Sequence, residues 1–140
     1  MILKEEKRDL FTVDEKYFLV HCISADYELG AGIAVEFQKR YNLRNKLFEM
    51  NNNKYPSCIF VNPVFNLVTK NKYWNKPTYD DLYRSLEIMV HLIETEMPEV
   101  KYLAMPKIGC GLDRLQWSKV REIIKNVFQD LDIEILVCYL

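Results

Sequence analysis

The chain has 140 residues, 49% hydrophobic and 28% charged, a size and balance that suit one soluble domain with a full core. Its formal net charge of -1 offers no bulk attraction to nucleic acid, so only a local patch could recruit such a partner. No apolar run approaches membrane-spanning length, and Met1-Ile2-Leu3 passes at once into charge, unlike a secretion leader.

In chain order, residues 1–11 form a short, mostly charged, edge-like segment ending in Arg8-Asp9-Leu10-Phe11. Residues 17–23 are a continuous apolar run, which predicts a strand covered on both faces. Polar and glycine punctuation follows over residues 24–32. Ile33, Ala34, Phe37 and Tyr41 then repeat at helical spacing. A strand, glycine turn and helix in succession place Gly30 and Gly32 at a helix N-terminus, where free N–H groups and the dipole attract phosphate. Tight packing of helix on sheet would ask for the same small residues. Lys39, Arg40, Arg44, Lys46 and Lys54 make the next segment basic, either as a solvated helix face or as a binding patch.

Asn51-Asn-Asn-Lys-Tyr-Pro reads as a loop. Residues 57–62 and 65–69 read as two strands joined by a turn at Pro63. A polar stretch from Lys70 to Lys76 carries Tyr73 and Trp74 and stops at Pro77. Thr78 and Asp81 have capping-box spacing and open a helix whose buried stripe is Leu82, Leu86, Met89, Val90 and Ile93. His91 falls outside that stripe. Residues 102–105 form another strand, which leads into Met105-Pro-Lys-Ile-Gly-Cys-Gly-Leu-Asp-Arg-Leu-Gln-Trp. Gly109 and Gly111 allow a sharp turn whose N–H groups point one way, a nest for an anion. Asp113 at its far end would repel that anion, so stability alone does not select it there; a plain turn whose Asp bonds its own backbone is the competing reading. Ser118 is expected to cap a helix carrying Val120, Ile123, Ile124, Val127 and Phe128, and residues 133–139 make the last strand.

Strands alternating with helices around one hairpin predict an α/β fold with a mixed, mostly parallel central sheet between two helical layers. Ligands of such folds sit beyond the carboxyl ends of the strands. Both glycine loops follow strands, so two anion-friendly loops should converge there on a diphosphate. Cys22, Cys58, Cys110 and Cys138 form no C-x-x-C pair and fit buried free thiols of a reducing, cytoplasmic compartment. The two histidines, His21 and His91, are far apart, and no metal-ligand spacing occurs.

Several stretches together resemble the macrodomain family, the ADP-ribose-binding fold. They are His21-Cys-Ile-Ser, Gly30-Ala-Gly-Ile-Ala-Val, Thr69-Lys70, Lys76-Pro-Thr-Tyr and the run from Met105 to Trp117. The chain is most similar to the subgroup of terminal ADP-ribose protein glycohydrolases and O-acetyl-ADP-ribose deacetylases, over nearly its whole length. The resemblance implies a single three-layer α/β/α macrodomain over residues 1–140. It implies that Asp9 and Leu10 hold the adenine end and that Ser24 lines the pocket near the distal ribose. Gly30, Ala31, Gly32 and Ile33 would cradle phosphate from one side, and Lys107, Ile108, Gly109, Cys110, Gly111 and Leu112 from the other. Leu140 would close the adenosine side. Lys70 would be the nucleophile and Asp113 the acid/base group, with no metal and no cofactor. Two departures stand out: Arg8 replaces the family's usual Gly before the adenine-binding Asp, and residues 51–57 match nothing. Ile23-Ser24-Ala25-Asp26 also replaces the Val-Asn-Ala-Ala-Asn of the commoner hydrolytic macrodomains, which points away from their water activation and towards a lysine route.

The implied reaction is attack of the Lys70 amine on C1″ of the distal ribose, with a glutamate carboxylate as leaving group. Burial at the pocket floor would favour the neutral amine, while the charge of Asp113 would oppose it unless Asp113 takes up the proton. The partners implied are ADP-ribose and ADP-ribosylated proteins, for a monomeric protein off the membrane. Two alternatives stay open: a reader that binds ADP-ribose without cutting it, and removal of ADP-ribose from nucleic-acid bases.

Overall fold

The structure is a computed structural model that describes residues 1–50 and 53–140. Six strands, β1 (Ile2–Lys7), β2 (Phe18–Ser24), β3 (Ser57–Val61), β4 (Val64–Lys70), β5 (Tyr102–Met105) and β6 (Glu134–Tyr139), form one sheet in the order β1-β6-β5-β2-β4-β3. Every neighbouring pair is parallel except β3 with β4, which is the hairpin expected around Pro63. Five strands therefore end at one edge of the sheet, and the loops that follow β2, β4 and β5 meet there.

Side chains alternate across this sheet and feed two cores. Phe65 and Leu67 of β4 and Ile135 and Val137 of β6 face α3 (Tyr79–Glu96) and α4 (Trp117–Phe128). Val64 and Val68, with Leu136 and Cys138, face α1 (Ile33–Tyr41) and α2 (Leu43–Met50). This is the period-two signature of strands buried on both sides, and it gives the three-layer α/β/α arrangement. β1 departs from it: its residues are mostly exposed and charged, which suits an edge strand.

The helix ends show where local chemistry decides. Thr78 accepts from Asp81 N–H and Asp81 accepts from Thr78 N–H, a complete capping box made with Asp in place of Glu. Val90, expected in the buried stripe of α3, is only half-buried, and Ser85 takes the inner position, donating to Val68 O at 3.0 Å. Ser118 does not cap α4; that helix starts at Trp117 after Gln116, with no side-chain cap. The helix that begins at Ile33 breaks at Asn42, left-handed at φ 50°, and restarts as α2. Of the unmatched segment 51–57, residues 51 and 52 lie outside the described residues, Asn53 and Lys54 are exposed, and Ser57 opens β3.

Candidate active site

At the carboxyl edge of the sheet lies a cavity of about 850 Å³, within the range usual for small-molecule sites. Its floor is the end of β4. Lys70, the last residue of that strand, donates from Nζ to Asp113 Oδ1 at 2.8 Å, and both side chains are mostly buried, 14% and 13% exposed. The pair joins the end of one strand to the loop after another. Ala25 N–H donates to Lys70 O at 2.9 Å beside a register shift in β2, so the backbone that carries the lysine is fixed too.

Two glycine loops flank the pair. Gly32, at φ 60°, is the N-cap of α1 and offers no side chain to the first turn of that helix, so the leading N–H groups stay available to an anion. The second loop is less open than its G-x-G spacing implies. Cys110 N–H is taken up by Lys107 O at 3.1 Å. Among the described residues the N–H groups of Gly111, Leu112 and Asp113 make no hydrogen bond. The loops approach each other across the cavity: a Cβ on Gly32 would sit 3.4 Å from Leu112 Cδ1. Lys76 Nζ, donating to Leu112 O at 2.7 Å, holds that roof in place.

The remaining wall is organised by Asp26. Its Oδ1 accepts a short bond from the Ser24 hydroxyl and a second from Glu28 N–H, and its Oδ2 accepts from Tyr73 N–H at 2.9 Å. Partial burial raises the carboxyl's pKa, but these three donors outweigh it and hold Asp26 below the usual carboxylate range. Ser24 gives its only proton to this carboxylate and can therefore only accept from a ligand.

Of the expected site residues, Ser24, Gly30, Ala31, Gly32, Ile33, Lys70, Lys107, Ile108, Gly109, Gly111, Leu112 and Asp113 line the cavity. Asp9, Leu10, Cys110 and Leu140 do not. Asp9 caps a 3-10 turn at Leu10–Thr12, accepting from Phe11 N–H at 2.9 Å; Leu10 is buried and Leu140 is 90% exposed. All three sit at the same sheet edge, on the β1–β6 side, where Arg8 N–H donates to Tyr139 O at 2.8 Å. The side chain of Arg8, in place of glycine, staples the 3-10 turn through Thr12 O at 2.8 Å and the Thr12 hydroxyl. Sequence reasoning missed Tyr73 and Lys76 as cavity walls, along with Cys22, Glu28 and Leu29. Lys76 belongs to the Lys76-Pro-Thr-Tyr stretch; Tyr73 carries no signal beyond being an aromatic in a polar stretch.

Other nucleophiles are disfavoured. Burial, and then the charge of Asp113, push the Cys22 thiol's pKa up, and burial pushes Cys110 up against the pull of Lys107. His21 is buried, stacked on Phe37 at 3.9 Å and bonded through Nε2 to Asn66 Oδ1 at 2.6 Å; desolvation lowers its pKa to about 4. His91 is exposed, and neither histidine lines the cavity. The basic segment is partly matched, Lys39 and Arg40 by Glu36 and Arg44 by Tyr27 O, as on a solvated helix face.

The mixed six-stranded sheet between two helical layers matches the fold of solved macrodomains. The macrodomain of Mycobacterium tuberculosis DarG superposes with a TM-score of 0.86 at 19% identity, covering 99% of this chain and 98% of that one. Thermosipho africanus DarTG, solved in complex with ADP-ribose, does so with a TM-score of 0.78 at 17% identity, covering 99% of this chain and 42% of that one. No family model matches the chain. It is, however, 41% identical to ADP-ribose glycohydrolase OARD1 of Bos taurus and 39% identical to that of Homo sapiens, in each case over 94% of this chain and 87% of the relative. The chain belongs to the family of ADP-ribose glycohydrolase OARD1.

Proposed function

We propose that this protein is an ADP-ribosyl hydrolase that releases ADP-ribose from ester-linked glutamate or aspartate of proteins and deacylates O-acetyl-ADP-ribose. The observation that carries the reading is the Lys70–Asp113 contact of 2.8 Å at the floor of a cleft whose glycine loops suit a diphosphate. A protein that only bound ADP-ribose would have no use for a largely buried ion pair there, because leaving two charges out of water is costly. Relatives named ADP-ribose glycohydrolase and a fold neighbour holding ADP-ribose support the same substrate.

The diphosphate takes the N–H groups at the start of α1 and at Gly111–Asp113, and the adenosine extends towards Asp9, Leu10 and Leu140. Ser24 accepts from a hydroxyl of the distal ribose. Asp113 takes the proton of the Lys70 ammonium across their short contact. The freed amine attacks C1″, the C1″–O bond breaks, and the carboxylate leaves with the electron pair. Water then attacks C1″ of the lysine adduct and loses a proton to solvent, the C1″–N bond breaks with its electron pair going to nitrogen, Asp113 returns its proton to that nitrogen, and ADP-ribose is released. The mixed charge of the β1 edge supports action as a monomer, and the partial pairing of the basic segment with Glu36 supports protein-linked over nucleic-acid-linked ADP-ribose.

The test is a pair of variants. Lys70→Ala should still bind ADP-ribose and lose turnover, by about 10²–10⁴ or more, as for removal of a group in the proton-transfer steps. In Asp113→Ala the lysine proton must go to solvent, so attack is slow, but the adduct lacks the group that resolves it and should accumulate, shown by intact-protein mass spectrometry as a species heavier by one ADP-ribose. Turnover by Lys70→Ala at the wild-type rate, together with no adduct on Asp113→Ala, would overturn the lysine route.

A further inference from the structure

The sheet order sets the direction in which a bound molecule runs. β1 and β6 lie on one side of the cavity and β4, with Lys70, on the other. With adenosine on the β1–β6 side, the group attached to the distal ribose must leave past the β4 side. There the loop after Lys70 holds two large rings in solvent: Tyr73 is 57% and Trp74 64% exposed, edge to face with centroids 5.1 Å apart. Tyr73 lines the cavity, and Trp74 stands just outside it.

Rings left in water on a loose loop would carry little meaning, but this loop is braced along its length. Lys70 O accepts from Ala25 N–H and Tyr73 N–H donates to Asp26, both at 2.9 Å. Lys72 and Asn75 close a turn on each other through two bonds of 2.9 Å, and Lys76 is tied to Leu112 O at 2.7 Å. A braced backbone lowers the cost of ordering the rings on binding, and aromatic side chains are favoured as binding anchors.

We propose that Tyr73 and Trp74 form the leaving-group subsite, where they lie against the polypeptide that carries the ADP-ribosylated side chain; the inference rests on the hydrolase reading above. Charge favours a polypeptide. Among the described residues, Lys72 lies within electrostatic reach of the Asp26 carboxylate, Lys76 is tied to Leu112 O, and Glu28 is exposed on the same wall, so the charge there is mixed rather than the continuous positive track that follows the successive phosphates of a nucleic-acid strand. The acetyl group of O-acetyl-ADP-ribose is too small to reach a ring outside the cavity, so Trp74 discriminates between substrates by what extends beyond the ribose.

The experiment compares wild type, Trp74→Ala and Trp74→Phe on three substrates: a protein ADP-ribosylated on glutamate, O-acetyl-ADP-ribose, and ADP-ribose linked to a nucleobase in single-stranded DNA. Trp74→Ala should lose about tenfold in kcat/KM on the protein, the scale of an interface anchor. It should keep its rate on O-acetyl-ADP-ribose and its melting temperature, and Trp74→Phe should recover most of the loss. Equal losses on protein and O-acetyl-ADP-ribose, or no loss on either, would overturn the subsite. A loss confined to the DNA substrate would overturn the polypeptide as its occupant. Wild-type inactivity on all three substrates would instead sink the hydrolase reading, and the subsite with it.

Discussion

His21 shows how one residue couples the fold to pH. Its pKa of about 4 in the folded state lies below the ordinary 6.5 because burial disfavours the imidazolium. Above pH 6.5 the ring is neutral in both states and its contribution is fully present. As pH falls towards 4 the unfolded chain takes up a proton that the folded chain refuses, so stability declines by about 1.4 kcal/mol per unit, on the order of 3 kcal/mol over the window. Chemical denaturation between pH 6.5 and 5 should show this slope, and His21→Gln should flatten it; an equal slope in both proteins would assign the effect elsewhere. The role of His21 was not legible in the sequence, because its partners Asn66 and Phe37 come from another strand and from a helix. The same holds at the reaction centre. Lys70 and Asp113 are 43 positions apart, and no spacing rule joins them; the family motifs single them out, and periodicity does not.

At the scale of elements, legibility followed locality. The capping box of α3 is complete within four residues and was read correctly. The α1–α2 break depends on a left-handed Asn42, which residue types alone do not announce, so α2 went unseen. Ser118 had the right side chain for a cap, but α4 begins one residue earlier and turns on the loop before it. That loop carries two glycines with different tasks. Gly109 sits at φ 73°, and a Cβ there would come within 2.9 Å of Leu115 Cδ1. Gly109→Ala should therefore cost about 1–2 kcal/mol from the left-handed backbone alone, read as a lower melting temperature. Gly111 has open space around it and lines the cavity. Gly111→Glu should keep its melting temperature and lose ADP-ribose affinity, since a carboxylate would fill and repel the diphosphate position. Undiminished binding would remove that loop from the site.

For the molecule as a whole, both glycine loops stand on one edge of one sheet, so a single ligand spanning them should stabilise everything at once. With ADP-ribose at about a hundredfold over its Kd, the gain is about 2.7 kcal/mol. Calorimetry in chelator should give one site and a matching thermal shift, and the absence of both would refute ADP-ribose as the ligand. The strand order carries a further consequence, for synthesis. Among the described strands β1 pairs only with β6, and every other strand and helix leaves the ribosome between those two. β1 must therefore wait, unpaired, while the pocket-bearing loops after β2, β4 and β5 take shape behind it. Its Lys4-Glu5-Glu6-Lys7 sequence meets Glu134, Trp117 and Arg121 in the finished fold, and before that it keeps the nascent strand from pairing with neighbouring chains until the last strand arrives.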